Sequence, residues 1–586
     1  MITINFDQDK KNKVRFAFAT IMIIIVVSWA KFRSGEINYL NSDATWHTLL
    51  TIEAYDETPV SVHKFLPIVS LGEASDKHIS WGATIPDQDG NYYYTSFSPA
   101  SFTSAYLFIK TMKIPINEQS LYVYNTFLFI ISALIWGALL FKLYEKNKYQ
   151  NNIVAIGILT FIFSPEIFHG MGIVYWAQSL MQVTLLIQIF AYYIWKSEQS
   201  KKGKIIFFFL TLVNPYIEWT GYVANIGFAL AELAYNRKND IITALKNAIL
   251  IGILTIVSFT LFTLHYLSVI AASDFFLALK NRFFARNITS KVLLTDIFAG
   301  YLRSFLLLWL LLFILIVWNI IKKGSIEFNH KILMFIMIFP ILENLIMKEH
   351  ALSYSYDRMK LIYLLSFMIC ELSLQILENA KKKKDTAIGL IVTILICCIG
   401  NLRYYINDKK YIWDVNYRYV NEEFANYIND NYKDSVLVLQ APVRGYINLL
   451  FGRGIYEGMG IDSAVEIANE KNKAYAIELQ IDDNQLTGAI VHDMRTNETF
   501  EVHAPKKFIL ANLTDDNWSN GYSRLSNTLL FKNDELLIVS LSYGSTLKCN
   551  DQAYSIVNVS YDSDWIRITV NKDASQCAFP AEITLE

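Results

Sequence analysis

Asp43 and His47 stand four residues apart in "NSDATWHTLLTIEAYDETP", Asn41 to Pro59, and Glu53, Asp56 and Glu57 follow in the same stretch. If residues 44–55 form a helix lying on a membrane, Asp43 and His47 are neighbours one turn apart, while Trp46, Leu49, Leu50 and Glu53 share a stripe. A carboxylate beside an imidazole can take or pass a proton. Ser42 or Asp43 also reads as the N-cap of that helix.

A second group is "MKEHALSYSYDRMK", with Lys348, His350, Tyr354, Tyr356, Asp357, Arg358 and Lys360. Arg358 has the planar fork that grips an oxyanion through two parallel bonds, with His350 and Lys348 as point donors. Basic residues at helix ends also snorkel, and Lys360 is read that way. Two short turns add acids: "SPEIFHGMG" with Glu166 and His169, and "NPYIEWTGY" with Glu218 and Trp219. Carboxylates at membrane depth are costly and mark function. "DQDGN", Asp87 to Asn91, has D-x-D spacing but no later glutamate of a calcium loop, and is read as a turn.

The elements that must position these residues follow from composition. The chain has 586 residues, is 53% hydrophobic and 18% charged, and carries a formal net charge of −1. That is the profile of a polytopic membrane protein, and it gives no electrostatic footprint for nucleic acid. Eleven apolar runs read as spans: 14–30, 121–143, 153–164, 177–195, 205–216, 219–235, 245–267, 300–321, 332–347, 359–378 and 386–404. The runs that end at Pro165 and Pro215 are short and are expected to be extended, tilted or broken. Between spans, lysines such as Lys146, Lys202 and the Lys381 to Lys384 run fall on one side, which is therefore cytoplasmic; turns 164–177 and 214–221 have none. The first span is read as an uncleaved anchor. An N-terminus in the cytoplasm and a C-terminus in the periplasm of a bacterial inner membrane follow, with Asp43, Glu166, Glu218 and His350 on the outer face.

Two pieces lie outside the bilayer: a first loop, 31–120, and a tail, 405–586. The tail opens with "VNEEFANYINDNY" and continues in short alternating runs, which reads as a small α/β segment followed by a β-sandwich. Cys549 and Cys577 lie in it, and a disulfide between them suits an oxidising compartment. No cysteine pair has metal-ligand spacing. The domains expected are thus a membrane module, 1–404, and a β-rich external domain, 405–586.

A long external first loop with Asp43 just after span one, an aromatic "YYYTSFSPASF" leading into span two, about eleven spans and an external C-terminal domain resemble the GT-C membrane glycosyltransferases. The aminoarabinose–lipid A transferases and protein O-mannosyltransferases share this plan. The resemblance implies transfer of a sugar from a polyprenyl-phosphate donor to a glycan, lipid or protein acceptor, with inversion at the anomeric carbon. It makes Asp43 the general base and Glu166 a second catalytic acid, ranked above Glu218. It makes His350, Arg358 and Lys348 holders of the donor phosphate, and His47, Glu53, Tyr94, Glu218 and Tyr356 substrate contacts. No metal is obligatory for a monophosphate leaving group, although Asp43 with Glu166 has the chemistry to hold a divalent ion. The alternatives are a lipid-linked glycan flippase, which calls for acids and bases inside the spans, and an O-antigen polymerase or ligase, which carries its large arginine-rich loop late.

Overall fold

The computed structural model describes residues 6–33, 42–236, 240–288, 290–322, 326–407, 418–482, 485–503, 507–509, 528–532, 545–549, 552–561, 565–572 and 582–585. The chain divides into two compact units, Met1–Trp413 and Asp414–Glu586.

The first unit is helical, and each apolar run read from the sequence lies in a helix. Among the described residues, seven helices are long and apolar enough to cross a membrane, or up to nine if each of two bent pairs counts as one span. Large apolar side chains face outward along them, Ile256 67%, Ile320 70% and Ile396 64% exposed. Water would not tolerate such a belt and lipid does, so this is a multi-pass membrane protein.

Two breaks shape the unit. The Gln150–Ile162 helix stops before Pro165, which opens the next helical segment at a bend of 63°. Proline tolerates the first helical turn but not the interior, which explains the break. Pro215, in contrast, sits in the last turn of Lys201–Ile217 without ending it. The run 300–321, expected as one span, is two helices: Leu294–Phe305 and Leu307–Lys322 meet at 94°. Leu306 turns the corner at φ 39°, ψ −111°, a change that apolar composition does not encode.

The spans are less free of charge than the sequence suggests. Glu232, Glu343 and Glu371 are buried inside apolar helices. Glu232 pairs with Lys196 at 2.7 Å, and Glu371 with His330 at 2.8 Å. Acids and bases of the kind a flippase calls for are therefore present within the helices.

In the first loop, the Asp43–Glu57 helix is followed by a hairpin of Thr84–Pro86 and Tyr92–Tyr94, then by the Ala100–Met112 helix. The hairpin turn is closed by Asp87, whose Oδ1 accepts from the backbone of Asp89 and Asn91 at 2.9 and 2.8 Å. The loop is tied to the helix Ile241–Leu267 by Tyr266, whose hydroxyl donates to the carbonyls of Tyr94 and Phe97, each at 2.8 Å.

The second unit contains a five-stranded sheet ordered Tyr456–Glu457, Ser435–Leu439, Tyr475–Asp482, Gln485–Asp493, Glu498–His503, parallel across the first three strands. "VLVL", Val436 to Leu439, is apolar without a break because both faces of the strand are covered. Leu437 and Leu439 pack with Phe424 and Ile428, and Val436 and Val438 with Ala464 and Ala468. "YAIELQI" and "GAIVHD" lie in strands of this α/β sheet. Strands between Lys507 and Leu585 form a six-stranded antiparallel sheet. The expected Cys549–Cys577 bond cannot be placed, since Cys577 lies outside the described residues.

Candidate active site

Ser42 takes the N-cap position in helical conformation without a side-chain cap bond, and Asp43 is the first helical residue. The expected side-chain cap by Ser42 is thus not made. Asp43 is half-buried, and its charge reaches the phenol of Tyr354. Burial raises that phenol most; Tyr94 and Asp43 raise it further, and Arg286 opposes them. Ring contacts link these segments: Tyr94 lies against His47, one turn from Asp43, and against Phe97, which meets His350 and Arg286, while His350 packs on Tyr354.

His47, one turn along, is buried in an aromatic cage, its ring 4.3 Å from Tyr94, 4.7 Å from Trp81 and 5.0 Å from Trp176. Burial first, and then Arg282, push its pKa down to about 3. It is a neutral wall rather than a proton carrier. Glu53 is not brought into this group: it lies about 15 Å further along the helix, beside Asp56, which pairs with Lys110 at 3.0 Å.

A helix that sequence reasoning missed supplies cations. Ala272–Arg286, "ASDFFLALKNRFFAR", carries Arg282 and Arg286 one turn apart. Arg286 is 5% exposed, and its guanidinium lies 5.6 Å from the centre of the Phe97 ring. The Nε of both arginines has no hydrogen-bond partner among the described residues. The signal was present: two arginines at helical spacing in an aromatic segment between spans, on the side assigned to the outside.

Behind this wall lies a buried ionic cluster. Ser355–Leu361 is a 3-10 turn, in which side chains three apart eclipse one another. Asp357 and Lys360 therefore meet, at 3.1 Å. Lys360 also contacts Glu343 directly and donates to Thr220 Oγ1 at 3.2 Å. The backbone N–H of Thr220 donates to Glu218 at 2.9 Å. Burial, then the neighbouring Glu343, push Glu218 up to about 8. His350 Nδ1 lies 3.4 Å from Asp357 Oδ2; burial and Arg286 lower its pKa while Asp357 pulls it up. Oxygens of Glu218, Glu343 and Asp357 all lie within 4.8 Å of one another.

The expected roles sort accordingly. His350, Tyr94 and Tyr356 join the site; the His350 ring centre is 6.3 Å from that of Tyr356. Glu218 joins it through the ionic cluster. Lys348 begins the short helix that carries His350. Arg358 and Glu166 are engaged with each other instead. Arg358 Nε donates to Ser304 Oγ at 2.8 Å, Ser304 donates to Glu166 at 2.8 Å, and Arg358 Nη1 donates to the Ala351 carbonyl at 2.5 Å. An arginine so committed holds the 3-10 turn in place rather than a ligand. Lys360, expected to snorkel, is 4% exposed and buried with its partners. Glu343 was missed, although an acid inside "FPILENLIM" is the kind of intramembrane charge that marks a site.

Solved membrane glycosyltransferases are similar to this chain. ArnT from Cupriavidus metallidurans bound to undecaprenyl phosphate matches at 8% identity over 96% of this chain and 99% of its own, with a TM-score of 0.49. The Archaeoglobus fulgidus oligosaccharyltransferase in complex with Zn and sulfate matches at 11% identity over 78% of this chain and 68% of its own, TM-score 0.48. The archaeal oligosaccharyltransferase AglB from Archaeoglobus fulgidus, in complex with an inhibitory peptide and a dolichol-phosphate, matches at 10% identity over 83% and 74%, TM-score 0.47. No known protein family matches the sequence, and no curated protein matches it either.

Proposed function

We propose that the protein is an inverting membrane glycosyltransferase that moves a sugar from a polyprenyl-phosphate donor to a hydroxyl acceptor at the outer, periplasmic face of a bacterial inner membrane. The observation that carries this reading is the packing of Tyr94 on His47, one turn from Asp43, and of Phe97 against Tyr94, His350 and Arg286. A half-buried carboxylate and cations with unused donors are the two groups that such a displacement needs. The acceptor oxygen attacks the anomeric carbon, and its proton passes to the Asp43 carboxylate. The bond from that carbon to the phosphate oxygen breaks, and Arg286 and Arg282, with His350 and Lys348, hold the charge left on the lipid phosphate. The aromatic wall of Tyr94, Trp81 and Trp176 offers a surface for the sugar and excludes water.

Asp43→Asn tests the reading. Asparagine keeps the size and the place in the first helical turn but cannot take the proton. Turnover of a polyprenyl-phosphate sugar should fall roughly 100-fold or more, with donor binding and melting temperature close to wild type. Wild-type transfer rates in Asp43→Asn would end the assignment. A flippase reading draws on the buried pairs Lys196–Glu232 and His330–Glu371. Reconstitution of the protein in vesicles holding the lipid-linked sugar and an acceptor separates the two, because a flippase moves the lipid-linked sugar without forming a glycoside.

A further inference from the structure

We propose that the ammonium of Lys360 is a resident cation, seated where three carboxylates would otherwise bind a divalent metal ion, and that removing it opens a divalent-cation site. The inference stands on the geometry of the cluster, whether or not the chain transfers sugars.

Oxygens from Glu218, Glu343 and Asp357 lie within 4.8 Å of one another. That is the spread one ion spans when each oxygen sits about 2.3–2.6 Å from it. All three acids are buried, 2%, 4% and 0% exposed. Buried acids at that separation either keep a proton, as Glu218 does, or need positive charge beside them, as Glu343 and Asp357 do. Lys360 supplies it by meeting Glu343, Asp357 and Thr220 Oγ1, which uses all three of its hydrogens. The cluster also keeps capacity that one ammonium leaves unused. Asp357 Oδ2 lies 3.4 Å from His350 Nδ1, and Gln178, whose Nε2 donates to Asp357 Oδ1 at 3.2 Å, has its Oε1 buried without a hydrogen-bond partner among the described residues. These are hard oxygen donors of the type that Mn2+, Mg2+ and Ca2+ prefer. A lysine on a buried 3-10 turn cannot exchange with solution as a metal does, so the charge balance is fixed by the chain itself.

The test uses the full chain purified in detergent, with Mn2+ as the probe. Wild type should bind no Mn2+ that depends on Glu343, and its melting temperature should not respond to the ion. Lys360→Ala should bind one Mn2+ per chain, seen by the loss of the free-ion paramagnetic resonance signal. At Mn2+ about 100-fold above the dissociation constant its melting temperature should rise by about 5 °C. The double variant Lys360→Ala, Glu343→Gln should lose both effects. If Lys360→Ala folds only when Mn2+ is present during expression and purification, the proposal is supported, provided magnesium-free and manganese-free growth gives aggregate. A folded Lys360→Ala that ignores Mn2+ overturns it. So does a Lys360→Ala that aggregates with and without Mn2+, and so does a wild type that binds one Mn2+ lost on Glu343→Gln.

Discussion

At the scale of single residues, environment separates groups that look alike in sequence. Lys348, Arg358 and Lys360 fall within one short segment, yet Lys360 is buried against Glu343 and Asp357, while Arg358 is spent on Ser304 and Glu166. Glu218 makes the energetic consequence measurable. Its folded pKa, raised from 4.5 to about 8, means that the folded protein holds a proton which the unfolded chain releases earlier. The stability so contributed is fully present below about pH 4.5 and is lost as pH rises through about 8. Thermal melting in detergent should show the wild type losing stability across that window, and Glu218→Gln, which stays neutral, should show a flatter profile. A slope identical in the two proteins would contradict a raised Glu218.

At the scale of elements, the site depends on close helix approaches that small residues permit. Gly221 opens the Thr220–Asn236 helix where it meets Lys201–Ile217. A Cβ there would stand 2.4 Å from both the carbonyl carbon of Asn214 and the nitrogen of Pro215. Those are backbone atoms and cannot turn aside. Gly221→Ala should therefore force the two helices apart and cost about 1–3 kcal/mol. Because Glu218 and Thr220 lie in this corner, transfer activity should fall with it. Thermal denaturation checks the first effect, and an unchanged melting temperature would show that the helices do not meet so closely. The bend at Leu306 has a similar purpose: it lets Ser304, one helix away, reach Arg358 and Glu166.

At the scale of the whole molecule, the proposed orientation decides whether Asp43 can meet an outer-face acceptor. Lys146, Lys202 and Lys382 are exposed, and so are Asp89 and Asn497. Asn91, close to Asp89 in sequence, is buried and unsuited to labelling. In a variant without its five native cysteines, single cysteines at Asp89 and Asn497 should react with a membrane-impermeant thiol reagent in intact cells. Those at the three lysine positions should react only after the membrane is opened. Labelling of the lysine turns from outside would invert the topology and remove the proposed site from its acceptor.

The sequence alone determined what local physics controls. Apolar runs became helices because backbone in lipid must satisfy its own hydrogen bonds, Pro165 marked a break because it cannot donate one, and "DQDGN" made a turn through its own Asp87. Asp43, His350, Tyr94 and Tyr356 were legible as residues flanking the apolar runs for the same reason, since span limits are set along the chain. Only the tertiary structure decided which of those residues meet. Arg286 joins Asp43 and Tyr354 from a helix more than two hundred positions along the chain, and Glu343 closes on Lys360 through a 3-10 turn. Such pairings arise from packing between distant segments, which neither periodicity nor composition records, and packing likewise turned Arg358 inward onto Glu166 instead of outward to a ligand.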